Sequence, residues 1–182
     1  EEWQKVVLLG ADRSIEFHNS SGPYYQTRIP KAGRAMCYDE RTCDLLVVGS
    51  SADVYRLNLD RGQFMGSLET DSQGGLNGVD ISPGSGLYGV VGDGGLVEFW
   101  DRRERTKVAS LQATTDSDDQ VACDMTAIKF VDALTVAVGD GAGVVRLFDL
   151  RSSRPLSTID HKYGEPVKAI HYHHGSDSLL SY

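Results

Sequence analysis

Residues 76–111 read LNGVDISPGSGLYGVVGDGGLVEFWDRRERTKVASL, and the fold is decided in this stretch. Leu76–Ile81 is a short run closed by the turn-forming Ser82-Pro-Gly-Ser-Gly86. Leu87–Val91 is a second run, almost continuously apolar, and Gly92-Asp-Gly-Gly95 turns tightly into a third, Leu96–Trp100. Asp101–Thr106 is polar and basic, and Lys107–Leu111 forms a fourth run. Short runs bounded by Gly, Pro, Asp and Ser read as strands. Four of them in succession make one propeller blade.

The unit recurs on both sides. Ile15–Asn19, Val54–Asn58, Val97–Asp101 and Val145–Asp149 each begin with a β-branched residue and end in Asn or Asp. A glycine precedes each: Gly10, Gly49, Gly92 and Gly139, at separations of 39, 43 and 47 residues. A period of about 40–45 residues is that of a WD-type blade. The four-run order recurs around Ala32–Thr70 and Met125–Ile159. The second runs, Leu45–Val48, Leu87–Val91 and Leu134–Val138, suit strands buried on both faces. The first runs alternate instead: Ile128 and Phe130 match Ile170 and Tyr172, with Lys129 and His171 on the other face. No stretch holds a helical apolar period, so helices should be rare.

The expected fold is therefore all-β: a WD-repeat β-propeller, about four blade-lengths of a larger, seven-bladed ring. The blades fall at 1–30 (incomplete), 31–70, 71–124, 125–162 and 163–182 (incomplete). The chain starts in a second strand, Lys5–Leu9, and stops in another, Ser178–Tyr182. Open ends expose strand edges and apolar faces, so a stable isolated monomer is not expected. A closed four-bladed ring would contradict this reading.

Composition narrows the function. The chain is 40% hydrophobic, too apolar for disorder, and its net charge of −8 argues against broad phosphate binding. No apolar run is long enough to span a bilayer, and EEWQKVVLL lacks the basic n-region and cleavage site of a signal peptide, so no membrane role is expected. Cys37, Cys43 and Cys123 lack disulfide or zinc spacing, which suits a reducing compartment.

The candidate chemistry is sparse. His171 and His173 of the string His171-Tyr-His-His174 could share one strand face and pinch a metal, but no third ligand has a supporting spacing. Solvent-facing histidines are expected instead. Gly92-Asp-Gly94 and Gly139-Asp-Gly141 resemble phosphate or calcium loops only superficially, since no helix or closing Glu follows. Two-residue hairpin turns explain them better. Cys37 falls where Lys129 and His171 fall in other blades and is expected to be exposed, without an adjacent base. Ser50 and Ser51 lack the GxSxG elbow. No catalytic constellation emerges, no cofactor or small-molecule substrate is expected, and a propeller enzyme is the remote alternative.

Four segments carry a more specific resemblance. They are Tyr25–Lys31 (YQTRIPK) with Gly33-Arg34, then Val48–Ser51 with Val54–Asp60, then Ala137–Gly139 with Leu147–Arg151 (LFDLR), and last Asp160–Gly164 (DHKYG) with Pro166–Lys168. In that order they resemble the nucleolar protein 10 family of WD-repeat proteins. The resemblance implies a non-enzymatic component of the small-subunit processome, the nucleolar particle that matures small-subunit ribosomal RNA. It implies a location in the nucleus and nucleolus, and partners among other processome proteins, with pre-ribosomal RNA as a further contact. A WD-repeat scaffold in another nuclear or cytosolic complex is the alternative. The chain departs from the common repeat in having a single Trp-Asp pair, Trp100-Asp101, and one Asp-His, Asp160-His161. The usual intrablade polar network cannot form in full, so apolar packing is expected to hold the blades.

Two basic groups are the candidate contacts for a protein partner or RNA. Arg102, Arg103, Arg105 and Lys107 share a third-to-fourth-strand turn, and Arg151 and Arg154 occupy the equivalent turn of the next blade. Together they could form one basic arc, or stand as solvated turn surface. Arg28, Lys31 and Arg34 form a second group at a blade junction. The acidic insert Thr114–Gln120 reads as a mobile loop between blades.

Overall fold

The computed structural model describes residues 5–112 and 123–182; the insert Thr114–Gln120 lies outside them. Among the described residues five antiparallel sheets follow one another, each built from consecutive strands. Sheet I holds β1 (Val6–Leu9), β2 (Ser14–Asn19) and β3 (Gly22–Arg28). Sheet II holds β4 (Gly33–Asp39), β5 (Asp44–Gly49), β6 (Asp53–Asn58) and β7 (Gln63–Glu69). Sheet III runs through β8 (Leu76–Ile81), β9 (Leu87–Gly92), β10 (Leu96–Asp101) and β11 (Lys107–Gln112). Sheet IV runs through β12 (Met125–Phe130), β13 (Thr135–Asp140), β14 (Val144–Asp149) and β15 (Pro155–Asp160). Sheet V is the hairpin β16 (Ile170–His173) and β17 (Ser178–Ser181). The one helical element among the described residues is a single 3₁₀ turn, Asp93–Gly95.

The first strand β4 touches β8, and β8 touches β12, so the sheets converge on a common axis with their fourth strands outermost. The sheets do not close into a ring. This is the partial propeller the repeat calls for.

Packing explains the hydrophobic pattern. Strand β5 is buried at every position, and β9 and β13 nearly so, because both of their faces meet neighbouring sheets. Each apolar cluster joins two sheets. Ile15 and Phe17 of sheet I pack on Leu45, Val47 and Leu57 of sheet II. Leu46, Val48 and Val54 of sheet II then meet Val79, Tyr88 and Trp100 of sheet III. Phe99 of sheet III meets Phe130, Val136 and Phe148 of sheet IV. Burying one such side chain is worth roughly 1.5–3 kcal/mol, so these seams dominate the fold's stability.

Strand pairing moves the repeat frame by one residue. The connections between second and third strands are residues 50–52, 93–95 and 141–143 in sheets II, III and IV. Asp140, rather than Gly139, therefore occupies the place of Gly49 and Gly92. These are three-residue turns, not the two-residue hairpins that Asp-Gly suggests. Gly95 and Gly143 each close the turn in the left-handed region, at φ 78 and 87, as does Arg13 at φ 70 in sheet I. A turn followed by one left-handed residue is the standard three-residue solution.

Candidate interaction surfaces

The antiparallel order sets two opposed loop faces. Second-to-third-strand turns and the connections between sheets share one face. First-to-second and third-to-fourth turns share the other. The two basic groups thus stand on opposite faces. Arg28 and Lys31 are exposed on the first face. Arg34 lies beside them on β4, but its Nη1 donates to Asn77 Oδ1 at 2.5 Å and lies 3.6 Å from Asp93.

On the second face the six residues of the arc separate into two kinds. Arg102 is drawn inward to Asp39, its Nη1 3.4 Å from Oδ1, and keeps only 11% of its side-chain exposure. Lys107 pairs with Asp71 and lies 3.5 Å from buried Glu98; its hydrogen bond to Asp71 raises its pKa. Arg151 grips Asp149 through Nε at 2.9 Å and Nη2 at 2.6 Å. That two-pronged bond holds the Asp149 carboxyl down at about 2. Arg103, Arg105 and Arg154 are exposed and have no ion-pair partner among the described residues. Arg105 sits in the left-handed region at φ 57 on the third-to-fourth turn.

Arg102 belongs to a polar network between sheets II and III that sequence reading missed. Tyr88 donates its hydroxyl to Asp39 Oδ2 at 2.9 Å. Beside it, Arg56, 4% exposed, donates from Nη2 to Asp44 Oδ2 at 2.5 Å, and Asn58 donates to Asp44 Oδ1 at 2.8 Å. Burial alone would raise the Asp44 carboxyl, but the bonds from Arg56 and Asn58 outweigh it and hold the pKa below its ordinary value. Burial, with the bond to Asp39, pushes the Tyr88 hydroxyl well above its ordinary range. Arg146 and Asp140 form a similar buried pair in sheet IV, 2.7 Å apart. Trp100 donates its indole N–H to Glu98 at 3.1 Å. The blades are thus held by ion pairs as well as apolar packing.

A second network crosses three sheets near the axis. Cys37, Asp80 and Lys129 fall at equivalent positions of the first strands. Lys129 Nζ lies 3.0 Å from Asp80 Oδ1, the Phe130 N–H donates to Asp80 Oδ2 at 2.8 Å, and Cys37 Sγ donates to Asp80 Oδ1 at 3.7 Å. Cys37 is therefore not the exposed thiol expected. Burial first, then the Asp80 charge, push its pKa up to about 12, far from a reactive thiolate.

The histidines are exposed and separately engaged. His171 stacks on Tyr182 with ring centres 5.9 Å apart, and His173 Nδ1 lies 2.8 Å from the Ser176 hydroxyl. His174 meets Tyr172 edge-on at 4.7 Å. No group of three potential metal ligands occurs among the described residues. No helix there is long and apolar enough to cross a membrane.

An apolar cleft of about 790 Å³ opens on the second face, between sheets I and II. Phe17, Leu45 and Leu57 line it together with Tyr24, Tyr25 and Tyr38. The cleft exists because Leu45 and Leu57 occupy positions that Tyr88 and Trp100 fill in sheet III. All three tyrosines remain about half exposed, and Lys5 Nζ sits 5.8 Å from the Tyr24 ring centre.

Radial four-stranded sheets, two loop faces and buried interblade pairs define part of a β-propeller whose surface chemistry lies in its loops. Residues 1–182 match the domain family described as "Nucleolar protein 10-like, N-terminal domain", and the chain belongs to that family. It is 43% identical over 186 residues to nucleolar protein 10 of Danio rerio, covering all of this chain and 26% of the relative. It is 44% identical over 186 residues to nucleolar protein 10 of Homo sapiens, covering all of this chain and 27% of the relative. Ribosome biogenesis protein ENP2 of Saccharomyces cerevisiae is 39% identical over 170 residues, with 93% of this chain and 24% of that protein covered. The chain spans about a quarter of the length of these relatives. Their names set the family in the nucleolus and in ribosome biogenesis.

Proposed function

We propose that this chain is a non-catalytic propeller scaffold in ribosome biogenesis. It works in the nucleolar small-subunit processome, where it supports maturation of small-subunit ribosomal RNA by holding other processome proteins. The observation that carries this reading is the match of the whole chain to a family whose members are named for the nucleolus and ribosome biogenesis. The architecture supports it: rigid sheets locked by interblade seams present loops on two faces. Affinity purification of the tagged intact protein tests it. Processome proteins and small-subunit ribosomal RNA precursors are expected; recovery of only an unrelated complex would replace this reading with the more general scaffold.

Contact with pre-ribosomal RNA belongs to the second face. Within the arc, Arg103, Arg105 and Arg154 have no ion-pair partner among the described residues, while Arg102, Lys107 and Arg151 are committed to carboxylates. Arg28 and Lys31, with Arg34 beside them, offer a smaller basic group for a partner on the first face. In ultraviolet crosslinking of the intact protein, a variant combining R103A, R105N and R154A should lose its RNA adducts. Unchanged adducts would remove RNA from this rim. Exposed Val6, Leu8 and Leu180 on the flanking sheets support the further reading that the 182-residue chain is not a stable monomer by itself. Light scattering of the purified chain should show association, and a clean monomer would refute it.

A further inference from the structure

The segment Asp160–Gly164 is the one specific motif that the fold and the two basic groups leave unused. It follows β15 on the first loop face, and its geometry is unusual. Lys162 has φ 63 and Gly164 has φ 66, so both residues flanking Tyr163 are left-handed. For a lysine that conformation costs roughly 1–2 kcal/mol. A strained backbone persists only where its surroundings fix it. Here they do: Asp160 Oδ1 accepts the Lys162 N–H at 2.7 Å, and the His161 N–H donates to Gly143 O at 3.1 Å. The His161 ring shares a hydrogen bond of 2.7 Å with the Ser181 hydroxyl. Downstream, Val167 is buried and its N–H donates to Asp140 O at 3.1 Å.

This clamped turn holds one side chain in solvent. Tyr163 is 84% exposed, the highest value for any large apolar side chain among the described residues, and neither its ring nor its hydroxyl has a partner there. A loose loop would let such a ring fold back onto apolar surface. The left-handed residues and the anchors on both sides prevent that. A tyrosine held outward by a rigid turn has lost its conformational freedom before binding, which is the condition for an efficient anchor. Tyrosine is also among the residues that most often dominate protein interfaces.

We infer that Tyr163 is an anchor residue that inserts into an apolar pocket of a protein partner. The charges support a protein over a nucleic acid. Lys162 and Lys168 are offset by Asp160 and Glu165, so no excess of positive charge surrounds the ring. The inference rests on the reading that the chain works through protein contacts.

The test uses the intact protein in its native assemblies. A photo-reactive benzoylphenylalanine at position 163 should crosslink to one protein. Tyr163→Ala should reduce co-purification of that same protein about tenfold or more, while Tyr163→Phe retains it. Asp160→Ala, which frees the turn but keeps the ring, should weaken recovery to an intermediate degree. The melting temperature of Tyr163→Ala should match that of the parent, since the ring supports nothing in the fold. Adducts to RNA, no adduct, or full recovery with Tyr163→Ala would each overturn the inference. The two readings fail separately. Ribosomal precursors that still co-purify while position 163 crosslinks nothing sink the anchor and leave the scaffold. A specific adduct in an assembly without those precursors does the reverse.

Discussion

Arg56 is the residue whose environment is least like that of its counterparts. Cross-strand pairing sets it level with Phe99 and Leu147, which are apolar, yet it is a guanidinium buried between two sheets. Removing its partner strands that charge. Asp44→Ala should therefore cost about 3–5 kcal/mol in denaturant unfolding. Replacing both residues with leucine should be far milder, within about 1–2 kcal/mol of the parent, because the pair's desolvation cost disappears with the charges. Additive losses in the double variant would contradict this. The sign of the pH effect follows from the lowered Asp44 pKa. A carboxyl that is more acidic folded than unfolded stabilises the fold above its unfolded value, about 3.9, and that contribution fades as pH falls below it. Acid unfolding curves of the double-leucine variant should be flatter in that range. Cys37 offers a second test at the same scale. Its pKa of about 12 leaves almost no thiolate at pH 8, so alkylation in the native protein should be many times slower than after denaturation. Equal rates by site-resolved mass spectrometry would show that the thiol is not sheltered by Asp80 and its neighbours.

At the scale of the strand and its turn, Gly49 shows what the repeat glycine is for. A Cβ there would lie 1.9 Å from the carbonyl oxygen of Ala32, in the connection whose oxygen accepts the Ser50 N–H. Gly92 meets Gly75 O in the same way, at 2.6 Å. Gly49→Ala must push a backbone segment aside and should cost about 2–4 kcal/mol, in the range of severe core changes. Gly66 lies on an outer strand with open space at its Cβ and no positive φ, so Gly66→Ala should be neutral or slightly stabilising. Equal unfolding midpoints for the two variants would refute the close-approach argument. The strands themselves were legible because Ser82–Gly86 and Gly92–Gly95 punctuate apolar runs of unmistakable length. The frame in sheet IV was not: Gly139-Asp140-Gly141 offers two glycines, and only the pairing of Gly139 with Val145 shows that Asp140 stands at the turn. The Arg56–Asp44 pair was equally hidden. In Val-Tyr-Arg-Leu-Asn an arginine reads as the solvent-facing member of an alternating strand, and its partner lies on another strand. Likewise, the arc of arginines could be counted in the sequence, but which of them already held a carboxylate depended on Asp39, Asp71 and Asp149 folding back to meet them.

Across the whole molecule the seams between sheets and the radial order of strands predict where the protein opens first. The second strands β5, β9 and β13 are enclosed on both faces, and the first and third strands pair with them on either side. The fourth strands are different. β15 is exposed at every position, β7 at most, and each pairs along one edge only. Hydrogen bonds that water can reach break by local fluctuation, whereas those under a packed seam require the seam itself to open. Amide exchange in the intact protein should therefore follow distance from the axis. β5, β9 and β13 should exchange slowest and β7 and β15 fastest, in each sheet alike. If each sheet instead exchanged uniformly, the sheets would be opening as separate units, and the seams formed by Phe99 with Phe130 and by Val48 with Tyr88 would not be what couples them. A radial gradient also fits a scaffold. Partners that bind the loop faces would meet turns held by slow inner strands, while the exposed outer edge could yield without disturbing what those faces present.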